Sequence, residues 1–221
     1  MRGLLVAFEG IDGVGKTTQI NTIKNNLQAI VFKFPDRGTR IGNILDANLK
    51  KTNVLNPRTE HLLQSANRAE KEPDIKKNLF EGNIVLLDRY LASGIAYTSA
   101  KNPFDFNLQT QNELFQWAKK ADNHLIEPDL TFFFHTSHPY EKDTHELYET
   151  NEFQQKVAKN FHTLFKENED KWILVSVDDF WKEPEKLSNF LTEKIEIKRK
   201  QVNESRSYFD ENGETDKQTN G

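Results

Sequence analysis

The segment Gly10-Ile-Asp-Gly-Val-Gly-Lys-Thr17 constrains this chain more than any other. It fits G-x-x-x-x-G-K-[ST] and lies between an apolar run, Leu4 to Phe8, and a stretch with helical spacing at Ile20, Ile23 and Leu27. Backbone N–H groups that wrap a phosphate must approach it closely, and glycine permits that approach. In such a loop Gly10, Ile11, Asp12, Gly13, Val14 and Gly15 form the cradle. Lys16 reaches the β- and γ-phosphates of a nucleotide such as ATP, and the Thr17 hydroxyl ligates Mg²⁺. The helix opening at Gly15 adds the positive end of its dipole.

The rest of the chain supplies a matching frame. Four more apolar runs read as strands: Ile30 to Phe34, stopped by Pro35; Ile84 to Leu87, ending at Asp88; Leu130 to Phe134; and Trp172 to Val177. Helical patterns lie between them. One is centred on Leu62, Leu63 and Ala66, where Pro73 is expected to end or kink the helix. Others carry Leu114, Phe115 and Ala118; Phe153, Val157, Phe161, Leu164 and Phe165; and Leu187, Phe190, Leu191 and Ile195. Strands alternating with helices predict an α/β domain, a parallel sheet with helices on both faces. The runs are unbroken rather than alternating, as strands buried on both faces should be.

A chain of 221 residues with 16 Phe and 3 Trp can bury a full core. Residues 1–197 are expected to form that domain. The stretch from Lys198 to Gly221 is poor in apolar residues and balanced in charge, and reads as a disordered tail. There is no cysteine, which removes disulfides, thiolate nucleophiles and Cys-based zinc sites. A net charge of -4 lacks the basic footprint of a general nucleic-acid binder. No apolar run approaches the ~18 residues of a membrane span. A first strand at about Leu4 leaves no room for a targeting peptide, so a cytoplasmic or nuclear setting fits.

Ile84-Val-Leu-Leu-Asp88 has the Walker-B form, an apolar strand ending in a carboxylate that stands near the nucleotide's Mg²⁺. Arg89 follows directly and can bridge phosphates. Open α/β sheets bind ligands past the carboxyl ends of their strands. Those ends carry Gly10–Thr17, Pro35–Arg40, Asp88–Tyr97 and His135–Tyr148, and Arg37 and Arg40 beside the cradle suit a second anionic substrate. No N-K-x-D-like base reader follows the Walker-B strand, which disfavours the small GTPases, and the length disfavours large mechanoenzyme ATPases. A small kinase acting on a small acceptor remains.

The chain resembles the thymidylate kinases of eukaryotes and large DNA viruses. The resemblance runs from Arg2 to about Ile197. It rests on Phe8-Glu-Gly-Ile-Asp12, Phe34-Pro-Asp-Arg37, His61-Leu-Leu-Gln-Ser-Ala-Asn-Arg68, Asp88-Arg-Tyr90 through Tyr97, Pro128-Asp-Leu130, and Tyr148-Glu149 through Phe153-Gln154. It implies a three-layer P-loop nucleoside monophosphate kinase fold with strand order 2-3-1-4-5. It also implies transfer of the γ-phosphate of ATP to dTMP with Mg²⁺, in a homodimer. By the same resemblance Asp12 would hold the sugar 3′-hydroxyl, Arg37 the 5′-phosphate and Arg68 the thymine edge. Arg89 would span both substrates' phosphates. Tyr97 would pack on the sugar with Ser93 and Gly94 close by, Thr98 would touch the base, and Tyr148 and Gln154 would close the site.

The chain departs from the family pattern in three places. Gln64 stands where the family usually stacks an aromatic ring on thymine. Gly13 stands where eukaryotic members carry a basic residue. Between Thr136 and Gln155 the sole Lys or Arg is Lys142, which is therefore expected to supply the missing catalytic cation. Gln64 motivates an alternative with relaxed base choice, and the missing loop cation an alternative as a catalytically weak nucleotide-binding protein.

Overall fold

A computed structural model describes residues 2–137, 150–180 and 182–213. Five strands, β1 (Leu4–Gly10), β2 (Ile30–Lys33), β3 (Ile84–Asp88), β4 (Leu130–His135) and β5 (Trp172–Ser176), form one sheet in the order β2-β3-β1-β4-β5. Every neighbouring pair is parallel, so the expected order 2-3-1-4-5 is observed. The sheet is covered by α1 (Lys16–Ile23), α2 (Arg40–Leu49), α3 (Pro57–Phe80), α4 (Leu91–Thr98), α5 (Gln111–Ala121), α6 (Asn151–Lys166) and α7 (Pro184–Gly213).

Strand periodicity divides the core. Leu4, Val6 and Phe8 of β1 join Ile84 and Leu86 of β3 in a cluster with Ile20, Ile95, Phe161 and Leu191 from the surrounding helices. Leu5, Ala7, Val85 and Leu87 point the other way and pack with Ile75 and Leu79 of α3. Burial on both faces holds for β1 and β3, whereas β2 is an edge strand with Ile30 and Val31 more than a third exposed. An apolar run is therefore a central strand or an edge strand depending on topology, which the run itself does not encode.

Three features go beyond what the residues alone indicate. Pro73 does not end its helix: α3 passes through it to Phe80, because Ile75 and Leu79 beyond it are buried against the sheet and outweigh one lost backbone donor. The buried face of α3 is also not the apolar one. Leu62 is 49% exposed, while Glu60, His61, Ser65, Asn67 and Arg68 are buried. Finally, helical structure does not stop at Lys198, since α7 continues to Gly213 and Val202 packs on the larger core cluster. Extending an established helix adds a hydrogen bond for each residue fixed, so modest packing suffices to carry it on. Residues 214–221 lie outside the described residues.

The C-terminal ends of β1, β3 and β4 stand side by side, with Phe8 opposite Asp88 and Gly10 opposite Phe134. Neighbouring strands β3 and β4 leave β1 in opposite directions, and that divergence opens the crevice in which such sheets bind ligands. A chain ending at Ile197 loses the Val202 contact. Its Tm should fall by ~2–4 °C, the shift of about 1 kcal/mol in a chain of this size, with activity retained; an unchanged Tm would show that the end of α7 contributes no packing.

Candidate active site

The loop from Gly10 to Thr17 joins β1 to α1, and Gly10, Gly13 and Gly15 all have positive φ, at 139°, 77° and 84°. A side chain at Gly10 would also meet the carbonyl oxygen of Phe134, 2.4 Å from an ideal Cβ. Ile11 and Val14 turn inward and are buried in the core, which pins the loop at two points. Backbone geometry here is thus set by glycine conformation on one side and apolar anchors on the other.

Lys16 is buried and folds back over its own loop, donating to the Gly10 carbonyl at 3.0 Å and the Ile11 carbonyl at 2.6 Å. Burial first, and then the charge of Arg89, pull its ammonium down to about 7, against the opposing pull of Asp12, Asp88 and Glu9. Thr17 donates to Asp88 Oδ2 at 2.6 Å, so the two predicted metal-side oxygens meet. Lys33 of β2 lies 3.4 Å from the same carboxylate.

Arg89 adopts a left-handed backbone conformation, φ 68°, immediately after β3. Such a conformation in a non-glycine residue is unfavourable and persists where surrounding contacts over-determine it. Here they do. Its N–H donates to the Phe8 carbonyl, and the next N–H groups, of Tyr90 and Ala92, donate to Oε1 of Glu9 at 2.9 and 3.1 Å. Glu9 also accepts from the Ser93 hydroxyl at 2.5 Å. Its carboxyl is fully buried, and burial raises its pKa against the hydrogen bond from Ser93 and the charge of Arg89. Glu9 thereby fixes the start of α4.

The Arg89 guanidinium then reaches Gly10 O at 2.8 Å, Ser93 Oγ at 3.1 Å and Asp12 Oδ1 at 2.5 Å, and stacks over the Tyr97 ring 5.2 Å from its centroid. Asp12 receives the Tyr97 hydroxyl at 2.8 Å and the Gln154 amide at 3.2 Å on its other oxygen. Burial opposes its ionisation, but the charges of Arg89 and Lys16 with the Tyr97 hydroxyl hold its carboxyl well below the usual carboxylate range. The same burial raises the Tyr97 phenol, as does the neighbouring Asp12, so it stays a donor.

The expected residues thus fall into groups. Asp12, Lys16, Thr17, Asp88, Arg89, Ser93, Tyr97 and Gln154 converge on one centre. Gln64, Arg68 and Gly94 form a second group, along α3 and α4. Arg68 is buried and donates to both oxygens of Asp122, at 2.9 and 2.7 Å, and a Cβ on Gly94 would sit 2.8 Å from its Nη2. Two residues stand apart. Arg37 is exposed and pairs with Asp46 of α2 at 2.8 Å. Thr98 is buried and its hydroxyl meets His61 Nδ1 at 2.7 Å, so in the ligand-free fold its polar atom is engaged by α3. Burial lowers the pKa of that histidine to about 4, so it is neutral and can share the Thr98 hydrogen. Lys142 and Tyr148 lie outside the described residues.

Glu9, His61, Asn67 and Asp122 hold roles that the motifs alone do not assign. Asn67 ties α3 to the loop before α2, accepting from Asp36 N at 2.7 Å and donating to Asp36 O at 3.3 Å and Thr39 Oγ1 at 3.0 Å. Glu9 left a readable signal, a carboxylate at the end of an otherwise apolar central strand. Asp122 left none, since it closes α5 at a position where acids are ordinary.

A family model described as thymidylate kinase matches residues 8–183. The chain belongs to the thymidylate kinase family. It is 34% identical to a thymidylate kinase of Danio rerio over 88% of this chain and 92% of that one. It is 40% identical to one of Schizosaccharomyces pombe over 75% and 79%. Among solved structures it is similar to the thymidylate kinase of Candida albicans, with a TM-score of 0.73 and 31% identity over 89% of this chain and 92% of that one. The matched span contains the phosphate loop, Arg68 and Arg89.

Lys16 carries a pH signature. Below about 7 it is charged in the folded and the unfolded chain alike; between there and its ordinary 10.5 the unfolded chain alone keeps the proton. Stability of the ligand-free fold therefore rises with pH across that window. Measured from about pH 6 to about pH 10, Tm of the wild type should climb relative to Lys16→Met, a side chain without a titrating group. Parallel curves would contradict the placement of Lys16.

Proposed function

We propose that this chain transfers the γ-phosphoryl group of ATP to dTMP, giving dTDP. One observation carries the reading: Arg89 lies between the phosphate loop and α4, within 2.8 Å of Gly10 O and 2.5 Å of Asp12 Oδ1, where a donor and an acceptor phosphate would meet. Transfer between two anions needs cations around the bridging and equatorial oxygens more than it needs a base. Lys16 faces the β- and γ-phosphates and exchanges its two loop carbonyls for them. Arg89 exchanges one carboxylate oxygen of Asp12 for phosphoryl oxygens, and the freed oxygen then takes the sugar 3′-hydroxyl. Tyr97 and Gln154 keep the other oxygen of Asp12 oriented.

Thr17 Oγ1 and Asp88 Oδ2, hard oxygen donors 2.6 Å apart, suit a Mg²⁺ that retains waters and phosphate oxygens. That ion would neutralise charge on the phosphates. On the acceptor side, Arg68 and Gln64 face the base, Gly94 gives Arg68 room, and Arg37 swings from Asp46 to the 5′-phosphate. Lys142 and Tyr148 complete the closed site in this proposal. The enzyme is a homodimer, an assembly consistent with the exposed Ile44 of α2 and Leu62 of α3, and works in the cytoplasm or nucleus.

Turnover of dTMP beside dUMP, dCMP and dGMP tests the reading, with dTMP expected to be preferred. Lys16→Ala should cut kcat by at least ~10²-fold, the scale of one transition-state electrostatic contact. A folded Lys16→Ala protein with near-normal turnover would remove the phosphate-loop assignment.

A further inference from the structure

Three polar side chains stand one helical turn apart on α3: Glu60, Gln64 and Arg68. Both ends are anchored by ion pairs from other elements. Arg68 meets Asp122 at 2.7 Å, and Glu60 meets Lys101 at 2.8 Å, with the side chains of that second pair 1% and 6% exposed. Gln64 lies between them, half-buried, and its Nε2 donates to Glu60 Oε1 at 3.0 Å.

The chemistry of Glu60 decides which way Gln64 turns. An ionised carboxylate accepts hydrogen bonds and cannot donate them. The amide nitrogen must therefore face Glu60, and the carbonyl oxygen of Gln64 is turned from it. Lys101 holds Glu60 in place, and because both side chains are buried, separating the pair is costly. The outlet of this row is Arg68, whose guanidinium lies against Gly94. From there Ser93 and Tyr97 of α4 lead to Arg89 and Asp12. The row thus runs from the interior to the acceptor side of the active site.

We propose that Glu60 and Lys101 are positioning residues that lock the amide polarity of Gln64, so that it offers an acceptor to the base of the acceptor nucleotide. The inference rests on the dTMP kinase reading. An acceptor there favours a pyrimidine whose N3 carries hydrogen, as thymine does, over cytosine, whose N3 is itself an acceptor.

The test compares kcat and KM for dTMP and dCMP in the wild type, Glu60→Gln, Gln64→Ala and the double variant. In Glu60→Gln the neighbour can donate or accept, and the amide of Gln64 is released. Preference for dTMP over dCMP should fall roughly fivefold, the scale of one neutral hydrogen bond, and the loss should sit in KM rather than kcat. In the Gln64→Ala background the same substitution should change the preference no further. A second variant, Glu60→Gln with Lys101→Met, removes both charges and keeps the test usable if the single variant misfolds. An unchanged preference, or an equal loss with and without Gln64, overturns the proposal while leaving the kinase reading intact. A wild type that does not turn over dTMP overturns both.

Discussion

The contact between Arg89 and Asp12 organises this molecule. It joins the loop after β1 to the turn after β3, two neighbouring strand ends, at 2.5 Å. Arg89 can reach Asp12 because its backbone is held in a left-handed conformation, and that conformation is held by Glu9, which gathers the N–H groups of Tyr90 and Ala92. The buried acid that sets the backbone and the exposed-side acid that receives the guanidinium are therefore consecutive in function. Both come from the same end of β1. Removing Glu9 would release the backbone of Arg89, and removing Asp12 would take away the ion-pair partner of its guanidinium.

The same pattern repeats across the site. Lys16 rests on loop carbonyls, Thr17 on Asp88, Arg68 on Asp122 and Arg37 on Asp46. Among the described residues, these polar groups of the proposed reaction already have a protein partner of complementary charge or dipole. Buried cations without partners would be costly, so the fold supplies internal acceptors in positions that substrate oxygens can take over. Preorganisation of this kind limits the reorganisation left for the transition state.

Much of this was legible in the sequence, for physical reasons that differ by element. The phosphate loop was readable because close backbone approach demands glycine at set positions and because Lys16 and Thr17 act in fixed places relative to them. The sheet was readable from its apolar runs, and its strand order from the family resemblance. The short helices α2 and α4 were not recognised: Leu91–Thr98 is buried almost all round, so it has no polar face to generate a period. In α3 periodicity misled, because a helix lining a polar site buries Glu60, Asn67 and Arg68 and leaves Leu62 outside. The interior roles of Thr98 and His61 could not be read either, since a hydroxyl's direction depends on the neighbouring helix rather than on its own sequence position.

The central claim is that internal partners hold the active-site polar groups until the substrates' phosphates replace them. Lys16 states it most sharply, because burial and Arg89 hold its ammonium at about 7 in the free protein and bound phosphate would restore its charge. Calorimetric titration of the protein with ATP and Mg²⁺ at about pH 8, in two buffers of different ionisation enthalpy, counts the protons taken up on binding. Uptake approaching one proton, absent in Lys16→Met, is the predicted result. No uptake, or the same uptake in the variant, would contradict it.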